Sequence, residues 1–183
     1  MLVLDRADVA ALLSPPRCLE AMEGAMIALI EGRAVLPPRT VLPLPDGAAA
    51  LFMPAALATP SIVGTKVVTI CPGNHRHGLA SHHAGLLAFE AERGTPVALL
   101  DDRLAALEEA GELLVPMAEG AVDATHIRAD LGEVAAGRHP GRIDDREVTL
   151  FKSVGLAIQD LAAAAVVIAE AERRGSGRRI DWS

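Results

Sequence analysis

Apolar positions along the first third of the chain recur with the period of a helix, then switch to the period of a strand. Leu4–Val9 opens a short helix, with Asp5 as its N-cap, and Ser14-Pro15-Pro16 starts a longer one. Ser offers an oxygen to the free N–H groups there, and Pro is tolerated in the first turn because its missing N–H would be unpaired anyway. Leu19, Met22, Met26 and Leu29 fall on one helical face, and Gly32 ends the helix. Pro37-Pro38 then forces extended chain and delivers Arg39 to a strand over Thr40–Leu44. Asp46-Gly47 is a turn. Ala48–Pro54 reads as a strand of small side chains, suited to a crowded sheet, and Ser61–Cys71 as a strand rich in β-branched residues. Pro72-Gly73-Asn74 breaks it. Gly85–Glu90 and Pro96–Leu100 form two more strands, joined by a hairpin at Ala91–Thr95 with Gly94 in the left-handed position.

Beyond Leu100 the pattern returns to helices. Leu104–Ala110 is a short one ended by Gly111, and Thr125–Ala136 another, with Asp123 or Thr125 near its N-cap. Val148–Lys152 reads as a strand. A final Ala-rich helix places Ile158, Leu161, Ala165 and Ile168 on one face and stops at Gly175-Ser176-Gly177, before a loose tail. Helices followed by an antiparallel or mixed sheet, with helices flanking it, make an α+β fold. Residues 1–183 are expected to form a single compact domain, with helices and sheet over 1–101.

Composition narrows the function classes. The chain has 183 residues, 51% of them apolar but only 2% aromatic, so Ala, Val, Leu, Ile and Met must fill the core. A net charge of −7 with interspersed signs argues against nucleic acid as a partner. The one basic run, Arg173, Arg174, Arg178 and Arg179, reads as a solvated tail, and Asp160 and Glu170 as ordinary helix-surface acids. Two cysteines, Cys18 and Cys71, make no disulfide framework and suit a reducing, cytoplasmic setting. No apolar stretch approaches the ~20 residues of a membrane span, and no basic region followed by an apolar run suggests a signal peptide. His75, His77, His82 and His83 with Cys71 form a metal-like cluster, but their spacings fit no standard zinc pattern, so no metal is expected. Cys71 beside His75 reads as a buried strand-end thiol rather than a nucleophile.

Short motifs in shared order carry a resemblance over nearly the whole chain. They are Pro38-Arg39, Met53-Pro54-Ala55, Gly64-Thr65-Lys66-Val67-Val68, Pro72-Gly73-Asn74, Phe89–Pro96 and Ala98-Leu99-Leu100-Asp101. Glu109–Leu113, Leu131-Gly132-Glu133, Gly137–Arg142 and the stretch Leu150–Ala164, with its Lys152-Ser153-Val154-Gly155 turn, follow. Together they resemble the ornithine cyclodeaminase/mu-crystallin family, whose full-length members use NAD(P). The resemblance implies that a Rossmann domain should intervene between Leu100 and Leu104. Here the chain passes directly into what resembles that domain's far end, so residues 102–142 read as its remnant and 143–175 as a strand and helix returning to the N-terminal part. No Gly-x-Gly-x-x-Gly occurs anywhere, and Gly175-Ser176-Gly177 follows a helix instead of a strand.

By the same resemblance Arg39 clamps a substrate carboxylate, and Lys66 contacts the carboxylate or imine and moves a proton, which makes it the one catalytic candidate. Strand alternation puts Lys66 on a face with Ile62, Gly64, Val68 and Ile70, where a lone ammonium is costly unless paired; on the residues alone the alternative is a lysine whose stem lies on the sheet while its ammonium snorkels to the sheet edge. Lys152 and Ser153, at the start of the last helix, are further substrate-binding candidates, with a simple cap by Ser153 as the alternative. The expected function is a homodimeric substrate and dimerisation domain that binds a small amino or keto acid, with no cofactor of its own and no redox activity. The alternative is an active amino-acid- or imine-directed enzyme of cyclodeaminase, ketimine reductase or alanine dehydrogenase type, with the nucleotide site supplied elsewhere.

Overall fold

A computed structural model describes residues 1–101, 119–121, 123, 127–151, 153 and 155–182. The expected helix over Leu104–Ala110 and the side chain of Lys152 lie outside these residues. The architecture is α+β, as the hydrophobic pattern implies. The strands are β1 (Leu2–Leu4), β2 (Ala34–Val35), β3 (Thr40–Pro43), β4 (Ala49–Leu57), β5 (Ile62–Ile70), β6 (His82–Glu90), β7 (Pro96–Asp101) and β8 (Arg178–Arg179). The helices are α1 (Arg6–Leu12), α2 (Pro15–Ile30), α3 (Leu131–Ala135) and α4 (Ala157–Arg174). The strands form one mixed sheet in the order β2-β4-β5-β6-β7-β1-β8, with β3 also pairing β4. Every pair is antiparallel except β1 with β7.

Local chemistry sets the element ends. The Asp5 carboxylate accepts from the N–H groups of Ala7 and Asp8, while Asp8 reaches back to Asp5 N–H, a reciprocal cap that fixes α1. Gly94 turns the β6–β7 hairpin at φ 69°, a conformation that costs glycine little. Gly175 ends α4 in the same left-handed region.

The sheet has two unlike faces. On one, α1, α2 and α4 bury rows of side chains that run across the strands. Ala55, Gly64, Ala88, Ala98 and Leu2 are in register from β4 to β1. A Cβ at Gly64 would meet Leu161 Cδ1 and the Leu87 carbonyl oxygen at 2.9 Å, so α4 packs closely over this row because its members are small. The low aromatic content and the Ala-rich pattern of α4 are two sides of this close approach. On the other face Phe52, Val63 and Leu99 are more than a third exposed, and no described helix covers them.

Several expectations are corrected. No strand occupies 148–151; Val148 and Leu150 are 93% and 87% exposed, because the sheet's edges are taken by β2, β3 and β8. The helix expected over Thr125–Ala136 is confined, among the described residues, to Leu131–Ala135, capped from Asp130. Leu19 does not share the buried face of α2; it is 70% exposed, because α2 turns Ala25, Met26 and Ala28 inward against α4 and α3. Ser14 occupies the N-cap position without a side-chain cap bond. The C-terminal tail is not loose: β8 pairs with β1, and Met1 and Ile180 exchange backbone bonds of 3.0 and 3.2 Å.

Candidate functional site

The next row on the helix-covered face contains Met53, Lys66, Leu86, Leu100 and Leu4. Lys66 is the one charged member and is 3% exposed. Burial at this level is tolerated only with an ionic or strongly hydrogen-bonding partner. Asp160, in the first turn of α4, provides it: the Lys66 Nζ–Asp160 Oδ1 distance is 3.1 Å, with side-chain exposures of 4% and 10%. The expectation that Asp160 is an ordinary surface acid is therefore wrong. Helical periodicity shows which side of α4 is apolar, but not that its first turn sits above a lysine.

Arg39 precedes β3, whose first residue, Thr40, pairs with Phe52. Arg39 itself lies outside that pairing, whereas Met53, next to Phe52 on β4, is the cross-strand partner of Lys66. A cleft of about 230 Å³ opens here, lined on one wall by Arg39, Met53 and Pro54 and on the other by Gly155, Leu156 and Ala157. Arg39 Nη2 donates to the Gly155 carbonyl oxygen at 3.3 Å and so ties the two walls together. Lys66 does not line the cleft; its cross-strand neighbour Met53 does.

The wall formed by α4 begins later than expected. Ala157 is its first residue, and the Gln159 side chain accepts from Leu156 N–H at 3.3 Å. Ser153 lies upstream of the helix and accepts from Gly155 N–H at 3.2 Å, shaping the turn rather than capping α4. The first-turn N–H groups of a helix carry partial positive charge. Guanidinium, helix N-terminus and apolar Met53 and Leu156 together suit a small carboxylate with an apolar body.

Glu170 is the other residue the sequence pattern misjudged. It is 4% exposed and takes ion pairs from Arg173 at 2.6 Å, Arg17 at 2.9 Å and Arg174 at 2.5 Å. Those hydrogen bonds, Arg173's foremost, hold its carboxyl far below the ordinary 4.5 against the opposing effect of burial. The cluster joins the start of α2 to the end of α4 and lies away from the cleft. Arg173 and Arg174 are therefore not part of a solvated tail. Among the described residues no group of three His, Cys, Asp or Glu side chains converges as a metal site would require.

A dinucleotide asks for a strand, a glycine-rich turn and a helix N-terminus. Among the described residues β1 runs directly into α1, but the turn is Asp5, whose own carboxylate already fills the helix N–H groups. The described residues do not fit a pyrophosphate.

Known proteins resemble this chain in part of its sequence and in its fold. Delta(1)-pyrroline-2-carboxylate reductase of Bacillus cereus is 44% identical over 84 residues, 46% of this chain and 26% of that protein. The match therefore spans about a quarter of that relative's length. Delta(1)-pyrroline-2-carboxylate reductase of Thermococcus litoralis, solved with NADH and L-proline, matches with a TM-score of 0.88 at 22% identity, over 98% of this chain and 100% of that one. An archaeal alanine dehydrogenase dimer with bound NAD matches with a TM-score of 0.87 at 20% identity, over 100% and 99%. At these identities the likeness concerns the fold. It nevertheless overturns one expectation and leaves a second without support. A chain without a cofactor is corrected by whole-length matches to proteins solved with NADH or NAD, and an inactive, domain-deleted scaffold finds no support beside them. The model of the ornithine cyclodeaminase/mu-crystallin family matches residues 1–106 and 101–175. The chain belongs to that family.

Proposed function

We propose that this chain serves an NAD(P)-dependent reductase of small imino or amino acids, and that its cleft holds the substrate by its carboxylate. Arg39 and the first turn of α4 take the carboxylate, Met53 and Leu156 contact the apolar body, and Lys66 supplies a positive charge and a proton donor one strand further in. Ser153 orders the turn that forms the far wall, and Lys152, its neighbour in the sequence, is a further substrate-binding candidate. The observation that carries this reading is a cleft lined by Arg39 and Met53 beside the N-terminus of α4, with Lys66 paired across the sheet to Met53 and bonded to Asp160 of that helix.

NAD(P) would supply the hydride. The residues described here orient the substrate and hold a proton at Lys66 Nζ, and the pyrophosphate site comes from residues or a polypeptide other than those described. Matching of the family in two segments that meet at 101–106 supports a boundary after a part over 1–101, and the resemblance divides the rest into a middle over 102–142 and a returning part over 143–175. The uncovered apolar sheet face supports a homodimer.

The test is NADH oxidation with Δ1-pyrroline-2-carboxylate as substrate, together with calorimetric titration of L-proline in the presence of NADH. Saturable binding is expected, with Arg39→Ala weakening it about ten- to hundred-fold, as for the loss of a charge-assisted bond. A folded chain that neither oxidises NADH nor binds L-proline refutes the reading.

A further inference from the structure

We propose that Asp160 is the positioning residue of the cleft, acting through Lys66. The inference rests on the substrate reading just given. Three observations converge on it. Lys66 is buried in an otherwise apolar row, so the direction of its ammonium is set by the charged and polar groups that can reach it. Asp160 is one of these, at 3.1 Å, and is itself nearly buried, so water screens the pair little. Asp160 also stands in the first turn of α4, shortly after Gly155, Leu156 and Ala157, which form the cleft wall.

One helix start therefore meets both cations of the site. Its Gly155 carbonyl oxygen accepts from Arg39, and its Asp160 carboxylate accepts from Lys66. Arg39 lies before an edge strand, whereas Lys66 is in the middle of the sheet. The Lys66–Asp160 pair anchors the turn to the rigid part of the fold, and the Arg39–Gly155 bond closes it over the cleft. Asp160 sets the distance between guanidinium and ammonium without touching the substrate.

Charge and size separate this role from simple packing. Asp160→Asn keeps the shape and removes the charge; Asp160→Glu keeps the charge and adds a methylene. Positioning through Lys66 predicts that L-proline affinity, measured by calorimetry with NADH present, falls about ten-fold or more for Asn and about three-fold or less for Glu. A packing role predicts the reverse order, because Asn is the better steric match. In a Lys66→Met background the Asn substitution should have no further effect on affinity, since the partner it acts through is gone. If Asp160→Asn does not fold, the Glu variant carries the test: near-normal affinity supports the proposal, and a folded Glu variant without affinity overturns it. Wild-type protein that does not bind L-proline overturns the substrate reading and this inference together. Wild-type binding with an unaffected Asn variant, or an equal Asn effect without Lys66, overturns the inference alone.

Discussion

At the scale of single residues, two carboxylates read as surface acids turn out to be buried partners of cations. An acid on a mostly apolar helix is solvated or paired depending on what faces it, and Lys66 lies 94 positions from Asp160 while Arg17 lies 153 from Glu170. The sequence shows that Lys66 needs a partner but not which one. Glu170 makes a prediction with a definite sign. Its folded carboxyl titrates below the ordinary 4.5, so its contribution to stability is complete above that value and is lost as pH falls below it. Glu170→Gln should therefore melt at a lower temperature than wild type at pH 7, and the gap should close as the pH is lowered through the carboxylate range. Thermal melts of both proteins over that range check it; a gap independent of pH would show that the arginine cluster does not act through the Glu170 charge.

At the scale of elements, the strands β3 to β7 were legible and their ends were not, while the short strands β1, β2 and β8 were missed. Turn residues such as Asp46-Gly47 and Gly94 punctuate the chain where the structure turns. Yet β6 begins at His82 instead of Gly85, and β4 continues to Leu57, because each extends as far as its neighbour offers hydrogen bonds. β1 has only three residues and exists because β7 and β8 flank it. Close packing between elements yields a further prediction. A Cβ at Gly132 would come within 2.4 Å of the Met26 carbonyl oxygen and 2.8 Å of Ile30 Cγ2. Backbone cannot yield as a side chain can, so Gly132→Ala should push α3 from α2 and cost about 1–3 kcal/mol, the range for overpacking. Chemical denaturation measures this. A loss below about 0.5 kcal/mol, the usual surface range, would mean that α3 is not held at this contact.

At the scale of the molecule, the uncovered sheet face bears on assembly. In-register rows there carry Phe52 with Val67, and Pro54 with Thr65, Leu87 and Leu99. If two copies bury this face together, sedimentation should give about twice the chain mass of 19.1 kDa, and Leu99→Glu should reduce it to one. A wild-type monomer would remove the dimer from the reading. Sequence by itself determined the α+β class, the family, and the presence of Arg39 and Lys66 on or beside strands, because alternation, turn chemistry and short motifs are local properties of the chain. Tertiary structure decided that Arg39 and Met53 line one cleft with Lys66 next to Met53 in the sheet, that the start of α4 closes over them, and that Asp160 and Glu170 are buried acids. Those facts depend on strand register and on helix-to-sheet contacts between residues far apart in the chain, and local sequence encodes neither.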